Sequence, residues 1–181
     1  MTTVLLIIDM QQGAFRPRSA SHDADGLVAR LNALAAENRA RGGRVVFVQH
    51  DGPPGGEYHP DAPGWPILPD LVIAKGDAIV HKQSCDSFLL TDLEDVLREA
   101  GACELIITRS ATEFCVDTTV SSALGRGYKT TVPRDGHTTS TRRPHLKAPD
   151  IIAHHNAVWA DFLSPAGPAR VCPCSAVFSA R

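Results

Sequence analysis

The chain has 181 residues, of which 43% are hydrophobic, and its 18 Lys and Arg against 20 Asp and Glu give a formal net charge of −2. Length and composition are typical of one globular domain, so we expect a single domain over residues 1–181. The near-neutral charge without a basic stripe argues against a nucleic-acid partner. No apolar run reaches the length of a membrane span, and a carboxylate interrupts the N-terminal apolar run, so neither a membrane partner nor a signal peptide is expected. Five cysteines then favour free thiols in a reducing cytoplasm.

Short apolar runs rich in β-branched residues alternate with segments of helical periodicity. The runs predict strands over residues 4–8, 44–49, 77–81, 104–108 and 128–132, and a last strand around Val171. The periodic segments predict helices over residues 26–41, from the capping box Thr91-Asp-Leu-Glu94 to Gly101, and over residues 112–124 and 149–160. Residues 51–66 are rich in Gly and Pro and predict a long loop, a kind of segment that is usually functional or disordered. This alternation predicts a Rossmann-like α/β fold, with three layers α-β-α around a mostly parallel sheet.

Three reactive side chains follow three of the predicted strands. Asp9 ends the first strand, Lys82 follows the strand over residues 77–81, and Cys115 lies just past the strand over residues 104–108. Parallel strands end at one edge of the sheet, where ligands bind, so the three side chains are expected to lie together. Asp9 would then accept the thiol proton, and the Lys82 ammonium would favour the thiolate and orient the carboxylate. Each residue alone has an ordinary structural interpretation, and it is the combination that predicts a nucleophilic site.

Cys115 falls at a turn between a strand and a helix. On the first turn of a helix, a thiolate is stabilised by the helix N-terminus, so this thiol is expected to ionise easily. Backbone N–H groups of the turn from Ala111 to Cys115 are placed to hold an oxyanion. Thr112 is predicted to cap the same helix.

In order and spacing, residues 3–160 resemble the isochorismatase-like cysteine hydrolases, which include nicotinamidases, N-carbamoylsarcosine amidohydrolase and ureidoacrylate-type amidohydrolases. The segments that carry the resemblance are Leu6-Ile-Ile-Asp9-Met-Gln11, Val45-Val-Phe-Val-Gln-His50, His81-Lys82 with Asp86-Ser-Phe88, Ala111-Thr-Glu-Phe-Cys115-Val-Asp-Thr-Thr119, and Gly127-Tyr with Asp135-Gly-His-Thr-Thr139. Together they specify the family more strongly than the Cys115 segment does alone.

The resemblance implies an isochorismatase-like fold and a catalytic triad of Asp9, Lys82 and Cys115. It also implies a cis peptide bond between Ser110 and Ala111, and an oxyanion hole made by the N–H groups of Ala111 and Cys115. The family's pocket wall falls on five further residues: Gln11, Phe15, His50, Trp65 and Phe88. The implied activity is hydrolysis of a C–N bond in a small amide or carbamoyl-type substrate through a Cys115 thioester, with no cofactor. The implied assembly is a homo-oligomer, a dimer or a tetramer.

The chain departs from the family pattern in several places. Arg109 stands where most members have Gly, which is expected to add a positive charge near the site. Nicotinamidases bind a metal after the second strand, where this chain offers His50 and Asp51 with His59 nearby, so no metal site is expected and nicotinamide is a less favoured substrate. Asp86 replaces a small residue and suggests a polar group on the substrate. Two alternatives stay open: an acid-only hydrolase of the isochorismatase type acting on a vinyl ether, and a non-enzymatic binding or redox-sensing protein.

Overall fold

The structure, a computed structural model, describes residues 2–179 apart from the side chain of Arg109. The strands are β1 (Thr2–Ile8), β2 (Arg44–His50), β3 (Ala78–Lys82), β4 (Ala102–Ser110), β5 (Lys129–Pro133), β6 (His137–Thr138) and β7 (Arg170–Cys172). The α-helices are α1 (Ala24–Ala40), α2 (Leu93–Glu99), α3 (Asp117–Gly125) and α4 (Ala148–Ala160), and a π-helix (Thr112–Val116) leads directly into α3. Six strands lie side by side in the order β3-β2-β1-β4-β5-β7, and the short β6 pairs with the end of β4. These pairings are all parallel, so the predicted α/β fold is confirmed.

Helices bury both faces of the sheet because its central strands are apolar on both sides. In β1, successive side chains point to opposite faces, with Leu6 and Ile8 in one core cluster and Leu5 and Ile7 in the other. Helix α1 packs on the Leu5 face, and α2, α3 and α4 pack on the Leu6 face. The three predicted layers, α-β-α, follow from this two-sided burial.

The strands that precede the candidate catalytic residues end at nearly the same level. Ile8 of β1 is level with Val48 of β2 and with Arg109 of β4, and Val48 is in turn level with Val80 of β3. Asp9, Lys82 and the turn that carries Cys115 therefore leave the sheet at one edge. Residues 51–66 pass over this edge without a helix or strand, as predicted.

The start of α2 differs from its prediction. Asp92 directly precedes the helix, but the Thr91 hydroxyl accepts a hydrogen bond from the Leu93 N–H at 3.3 Å. The Thr91 half of the predicted capping box is therefore present, and the Glu94 half is wrong. Instead of turning back to Thr91, the Glu94 carboxylate accepts hydrogen bonds from the Tyr128 hydroxyl at 3.0 Å and from Arg126 Nε at 3.1 Å. Glu94 therefore bonds to tertiary partners near the end of α3 and the start of β5, and not to the N-terminus of its own helix.

Strand β6 was not predicted, because two residues carry no periodic signal. It pairs Arg109 with His137 and Ser110 with Thr138, at the far end of β4. This pairing ties the chain after β6 to the turn that carries Cys115.

Candidate active site

A buried ion pair joins the ends of β1 and β3. Lys82 Nζ lies 3.0 Å from Asp9 Oδ2, with the two residues only 1% and 7% exposed. Lys82 also donates to the Ser84 carbonyl oxygen at 2.7 Å, and the Asp9 N–H donates to the Val48 carbonyl oxygen at 2.8 Å. Asp9 adopts a left-handed φ of 48°, a conformation that costs free energy outside glycine and clusters at functional sites. A buried charge without a partner is strongly unfavourable, so each residue of the pair offsets the cost of burying the other.

Cys115 lies in the π-helix that follows β4. Its thiol is free, and the residue is 7% exposed. The Val116 N–H reaches back five residues to the Ala111 carbonyl oxygen at 3.4 Å, the spacing of a π-helix, which is frequent at functional sites. The Ser110–Ala111 peptide bond is cis, as the resemblance implies. Because the first N–H groups of a helix have no partner further back in the helix, this turn presents donors next to the thiol.

Thr112 anchors this turn through its hydroxyl group and does not cap the helix, so the predicted cap is wrong. No side-chain hydrogen bond closes the N-terminus of the π-helix at Ala111. Thr112 Oγ1 instead lies 2.9 Å from His137 Nδ1 and 3.1 Å from the Thr138 carbonyl oxygen. The other imidazole nitrogen, His137 Nε2, lies 3.1 Å from Asn156 Oδ1. Burial lowers the pKa of His137 from 6.5 to about 4, so the ring that supports the turn is neutral at physiological pH.

A cavity of about 340 Å³ opens at this edge of the sheet. Its wall combines residues from the strand ends with residues from the loops: Asp9, Gln11, Ala14, Ser21, His50, Tyr58, Cys85, Ser110, Ala111, Phe114, Cys115, Ser140 and Arg143. The candidate nucleophile and the candidate base therefore face one space, with Lys82 behind the Asp9 carboxylate. Ala111 and Cys115, the residues of the predicted oxyanion hole, border the same space.

Gln11 lies on the cavity wall, but its amide is occupied by main-chain partners. Its Nε2 donates to the carbonyl oxygens of His50 at 3.0 Å and of Trp65 at 2.8 Å, and its Oε1 accepts from the His50 N–H at 2.9 Å. The Trp65 carbonyl oxygen also accepts from Gln49 Nε2 at 2.9 Å. Gln11 therefore lies on the cavity wall as predicted, and its amide fastens the long loop to the end of β2.

The structure does not place Trp65 on the cavity wall. Its indole N–H donates to Asp51 Oδ1 at 2.7 Å, and its ring stacks on His81 at a centroid distance of 6.0 Å. The side chain is thus used to pack the loop against β3. His50, in contrast, lies on the wall as predicted, with its ring edge-on to Tyr58 at 6.0 Å.

Phe15 and Phe88 belong to the two hydrophobic cores and do not line the cavity. Phe15 packs on the α1 side of the sheet, and Phe88 packs on the opposite side, stacked on Tyr128 at 6.1 Å. Asp86, predicted to meet a polar substrate group, accepts from the Phe88 N–H at 2.9 Å and from Ser122 Oγ at 2.8 Å. Phe15 and Phe88 fill the core because full burial of an aromatic side chain stabilises the fold more than partial burial at a cavity rim.

Sequence reasoning missed several wall residues, of which Tyr58, Phe114 and Arg143 are the largest. The exposure of Phe114 could have been predicted from helical periodicity. Val116 and Val120 face the core, so position 114 falls on the exposed side of the helix. Tyr58 and Arg143 lie in loops, whose paths no local pattern specifies. The side chain of Arg109, expected to add a charge here, lies outside the described part of the structure.

The residues weighed as metal ligands are used elsewhere. Asp51 Oδ1 accepts from Trp65 and lies 3.1 Å from His81 Nδ1, and His59 Nδ1 lies 3.6 Å from Asp61 Oδ2. Within residues 2–179, no three His, Cys, Asp or Glu side chains are grouped as metal ligands.

The remaining cysteines differ sharply from Cys115 in their surroundings. Burial, followed by the charge of Asp135, raises the pKa of the Cys174 thiol to about 12. Cys85 is exposed and lies on the cavity wall, and Cys103 Sγ lies near the Thr2 carbonyl oxygen at the opposite end of β4. Of the two cysteines on the wall, Cys115 alone lies at the start of a helix.

Comparison with known proteins places this chain in a family. The model of the Isochorismatase domain matches residues 3–161, so the chain belongs to the isochorismatase family. The chain is 35% identical over 135 residues to a streptothricin hydrolase of Streptomyces noursei, covering 75% of this chain and 54% of that protein. It is 31% identical over 144 residues to an uncharacterised isochorismatase family protein of Bacillus subtilis (strain 168), covering 78% and 80% of the two chains. The chain thus spans about half the length of the streptothricin hydrolase.

Solved structures show the same fold. An isochorismatase from Pseudomonas putida KT2440 superposes with a TM-score of 0.87 at 27% identity, covering 97% of this chain and 90% of that one. An N-carbamoylsarcosine amidase from Thermoplasma acidophilum superposes with a TM-score of 0.77 at 19% identity, covering 99% and 100%, a likeness of fold alone. Among the helices of residues 2–179, none has both the length and the apolar character of a membrane span.

Proposed function

We propose that the chain is a cysteine hydrolase that cleaves the C–N bond of a small amide or carbamoyl-type substrate. The observation that carries the proposal is the buried Asp9–Lys82 pair, with a distance of 3.0 Å between Nζ and Oδ2, on a cavity that Cys115 also lines. A carboxylate, an ammonium and a thiol at one strand edge are what a thiolate nucleophile requires. Membership of the isochorismatase family and the streptothricin hydrolase relative support a hydrolytic reaction.

In the first step, Asp9 accepts the proton of the Cys115 thiol. The buried Lys82 ammonium, 3.0 Å from the Asp9 carboxylate, orients that carboxylate for the transfer and favours the thiolate after it. Because Asp9 is itself buried, little water competes for this proton.

In the second step, the thiolate attacks the substrate carbonyl carbon, and the C=O electron pair moves to oxygen. The backbone N–H groups of Ala111 and Cys115 donate to this oxyanion. Collapse of the intermediate breaks the C–N bond, the nitrogen takes the proton from Asp9, and ammonia or an amine leaves. Cys115 then holds the acyl group as a thioester.

In the third step, water hydrolyses the thioester. Asp9, again a carboxylate, accepts a proton from the attacking water, the oxyanion forms in the same hole, and the carboxylic acid leaves as the thiol is restored. The four participants are a carboxylate, an ammonium, a thiol and backbone amides, so the proposed cycle uses no cofactor.

The test is an ammonia-release screen over small primary amides, ureas and N-carbamoyl compounds. We expect wild-type turnover with at least one class, and loss of roughly three orders of magnitude or more in Cys115→Ala, since the nucleophile is removed. Asp9→Asn and Lys82→Met should lower kcat strongly as well. Cys103→Ser, which changes a thiol far from the cavity, is the matched control. Intact-protein mass spectrometry should detect an acyl adduct on Cys115 during turnover.

Two results would overturn the proposal. Full activity of Cys115→Ala together with loss in Asp9→Asn would indicate the acid-only hydrolase. Reversible peroxide oxidation of Cys115, with no turnover over the whole amide screen, would indicate the redox-sensing protein.

The natural partner in this proposal is a small-molecule amide. A homo-oligomer, dimer or tetramer, and a cytoplasmic location stay predictions. Light scattering coupled to size-exclusion chromatography checks the first, and cell fractionation checks the second.

A further inference from the structure

Arg143 lines the same cavity as Asp9 and Cys115. It lies on the segment between β6 and α4, which the pairing of β6 with β4 brings to the mouth of the site. The residue is partly buried. Among the side chains that the structure describes, it carries the one full positive charge on the cavity wall.

The guanidinium is held in place by the two residues that precede Cys115. Arg143 Nε forms an ion pair with Glu113 Oε1, and that carboxylate oxygen also accepts from Thr139 Oγ1 at 2.8 Å. Arg143 Cζ lies 4.8 Å from the centre of the Phe114 ring, a cation–π distance. The position of the guanidinium is therefore coupled to the position of Cys115. Because the arginine side chain is already ordered, a ligand loses little free energy in ordering it on binding.

Most of the hydrogen-bonding capacity of this guanidinium is unused. A guanidinium has five N–H donors, and the ion-pair contact with Glu113 is made through Nε. Among the described residues, none accepts a hydrogen bond from Nη1 or Nη2 of Arg143. Two parallel N–H groups at such an edge match the two oxygens of a carboxylate.

The surrounding sequence has the same sign of charge. Residues 141–147 contain Arg142, Arg143 and Lys147 and no Asp or Glu, although the whole chain carries a net charge of −2. A local positive field at a cavity mouth attracts anionic ligands and raises their local concentration.

We propose that the substrate of this site carries a carboxylate besides the amide that is cleaved, and that Arg143 is the specificity residue that binds it. This inference rests on the proposed amide hydrolysis. With the carboxylate on the Nη edge of Arg143, the other end of a small molecule reaches the thiol and the Ala111 turn within the cavity of about 340 Å³. Arg143 then fixes which end of the substrate faces Cys115.

The test uses pairs of substrates that differ only in charge. Malonamate, succinamate and glutaramate are each compared with the matching diamide, so that the spacing between amide and carboxylate is varied. We expect wild type to prefer one monoamide acid over its diamide by about 10- to 100-fold in kcat/KM, the effect of a charge-assisted bidentate contact. In Arg143→Met this preference should disappear through a raised KM for the acid, with the diamide little changed. Arg143→Lys should restore part of it, and Arg142→Met, at the exposed neighbour, should keep it.

A second measurement needs no turnover. Malonate, succinate or glutarate should slow the alkylation of Cys115 by iodoacetamide in wild type and in Arg142→Met, and not in Arg143→Met. Equal treatment of acids and diamides by wild type, or protection that survives Arg143→Met, would overturn the inference and leave amide hydrolysis standing. Protection that depends on Arg143 without hydrolysis of any amide would sustain the carboxylate site and count against the hydrolase. If wild type shows no preference for the acid and the diacids give no protection, the inference is also overturned. Thermal unfolding of each variant checks that the fold is kept.

Discussion

Thr112, the first residue of the π-helix that carries Cys115, is held at 2.9 Å by the imidazole of His137. The imidazole is in turn held by Asn156 on α4 and packs edge-on against Trp159 at 5.2 Å. The turn that bears Cys115 is therefore supported by a neutral ring buried between β4 and α4.

The first prediction concerns acid stability. Because the pKa of His137 is lowered from 6.5 to about 4 in the folded protein, the unfolded chain binds this proton more readily between those two values. The contribution to stability is fully present above pH 6.5 and is lost as the pH falls towards about 4, by about 3 kcal/mol for a shift of this size. Urea unfolding at a series of pH values measures it.

In this experiment, His137→Gln should flatten the pH dependence within the same window, with His145→Gln, a substitution at an exposed histidine, as the matched control. Parallel profiles for wild type and His137→Gln between pH 4 and 6.5 would contradict the assignment.

The second prediction concerns Cys174. Its thiol is buried and its pKa is raised to about 12, so it is a thiol, not a thiolate, at pH 8 to 9. Native protein treated with iodoacetamide should therefore carry no label at Cys174 while the exposed Cys85 is labelled fully, as read by peptide mass spectrometry. Labelling of Cys174 at the rate of Cys85 in folded protein would show that the thiol is accessible and ionised.

The third prediction concerns the buried pair of Asp9 and Lys82. Removing one partner leaves the other charge buried without compensation, so Lys82→Met and Asp9→Asn should each lower the free energy of unfolding by about 3 kcal/mol. The double variant should lose about 1–3 kcal/mol less than the sum of the two single losses, since the residues interact directly. Strict additivity in the double-mutant cycle would rule out a direct coupling.

The fourth prediction concerns the attachment of the long loop. In Gln11→Glu, a carboxylate oxygen replaces the Nε2 that donates to the carbonyl oxygens of His50 and Trp65, so two attractive contacts become repulsive. We expect Gln11→Glu to lower the free energy of unfolding by about 2 kcal/mol or more. Hydrogen–deuterium exchange should become faster over residues 51–66. In Gln12→Glu, one residue further and paired with the exposed Arg16, exchange of the loop should stay as in wild type.

The sequence carries information on the strand ends but not on the loops around them. Asp9, Lys82 and Cys115 were placed on one edge because strands and helices alternate, and parallel strands share the edge at which they end. The structure has this arrangement, with Lys82 Nζ 3.0 Å from Asp9. The positions of these residues follow from local pattern and topology alone.

The rest of the cavity wall depends on tertiary contacts. Arg143 reaches the site because β6, a strand of two residues, pairs with the end of β4. Tyr58 reaches it on the long loop, whose Trp65 carbonyl oxygen accepts a hydrogen bond from the Gln11 side chain. Phe15 and Phe88 were placed on the wall by resemblance, and their burial in the two cores reflects packing that a motif does not encode.

Gln11 and Gln49 bind the long loop through the carbonyl oxygen of residue 65, an atom that every amino acid possesses. This main-chain anchor therefore does not depend on the side chain at position 65, whose indole packs the loop against β3 by separate contacts. Residues between Gly52 and Gly64 are free to diversify while their two ends stay attached to the same frame. For protein engineering, this segment is therefore a candidate for exchange: new sequences inserted there would reshape the entrance and leave Asp9, Lys82 and Cys115 at the strand ends in place.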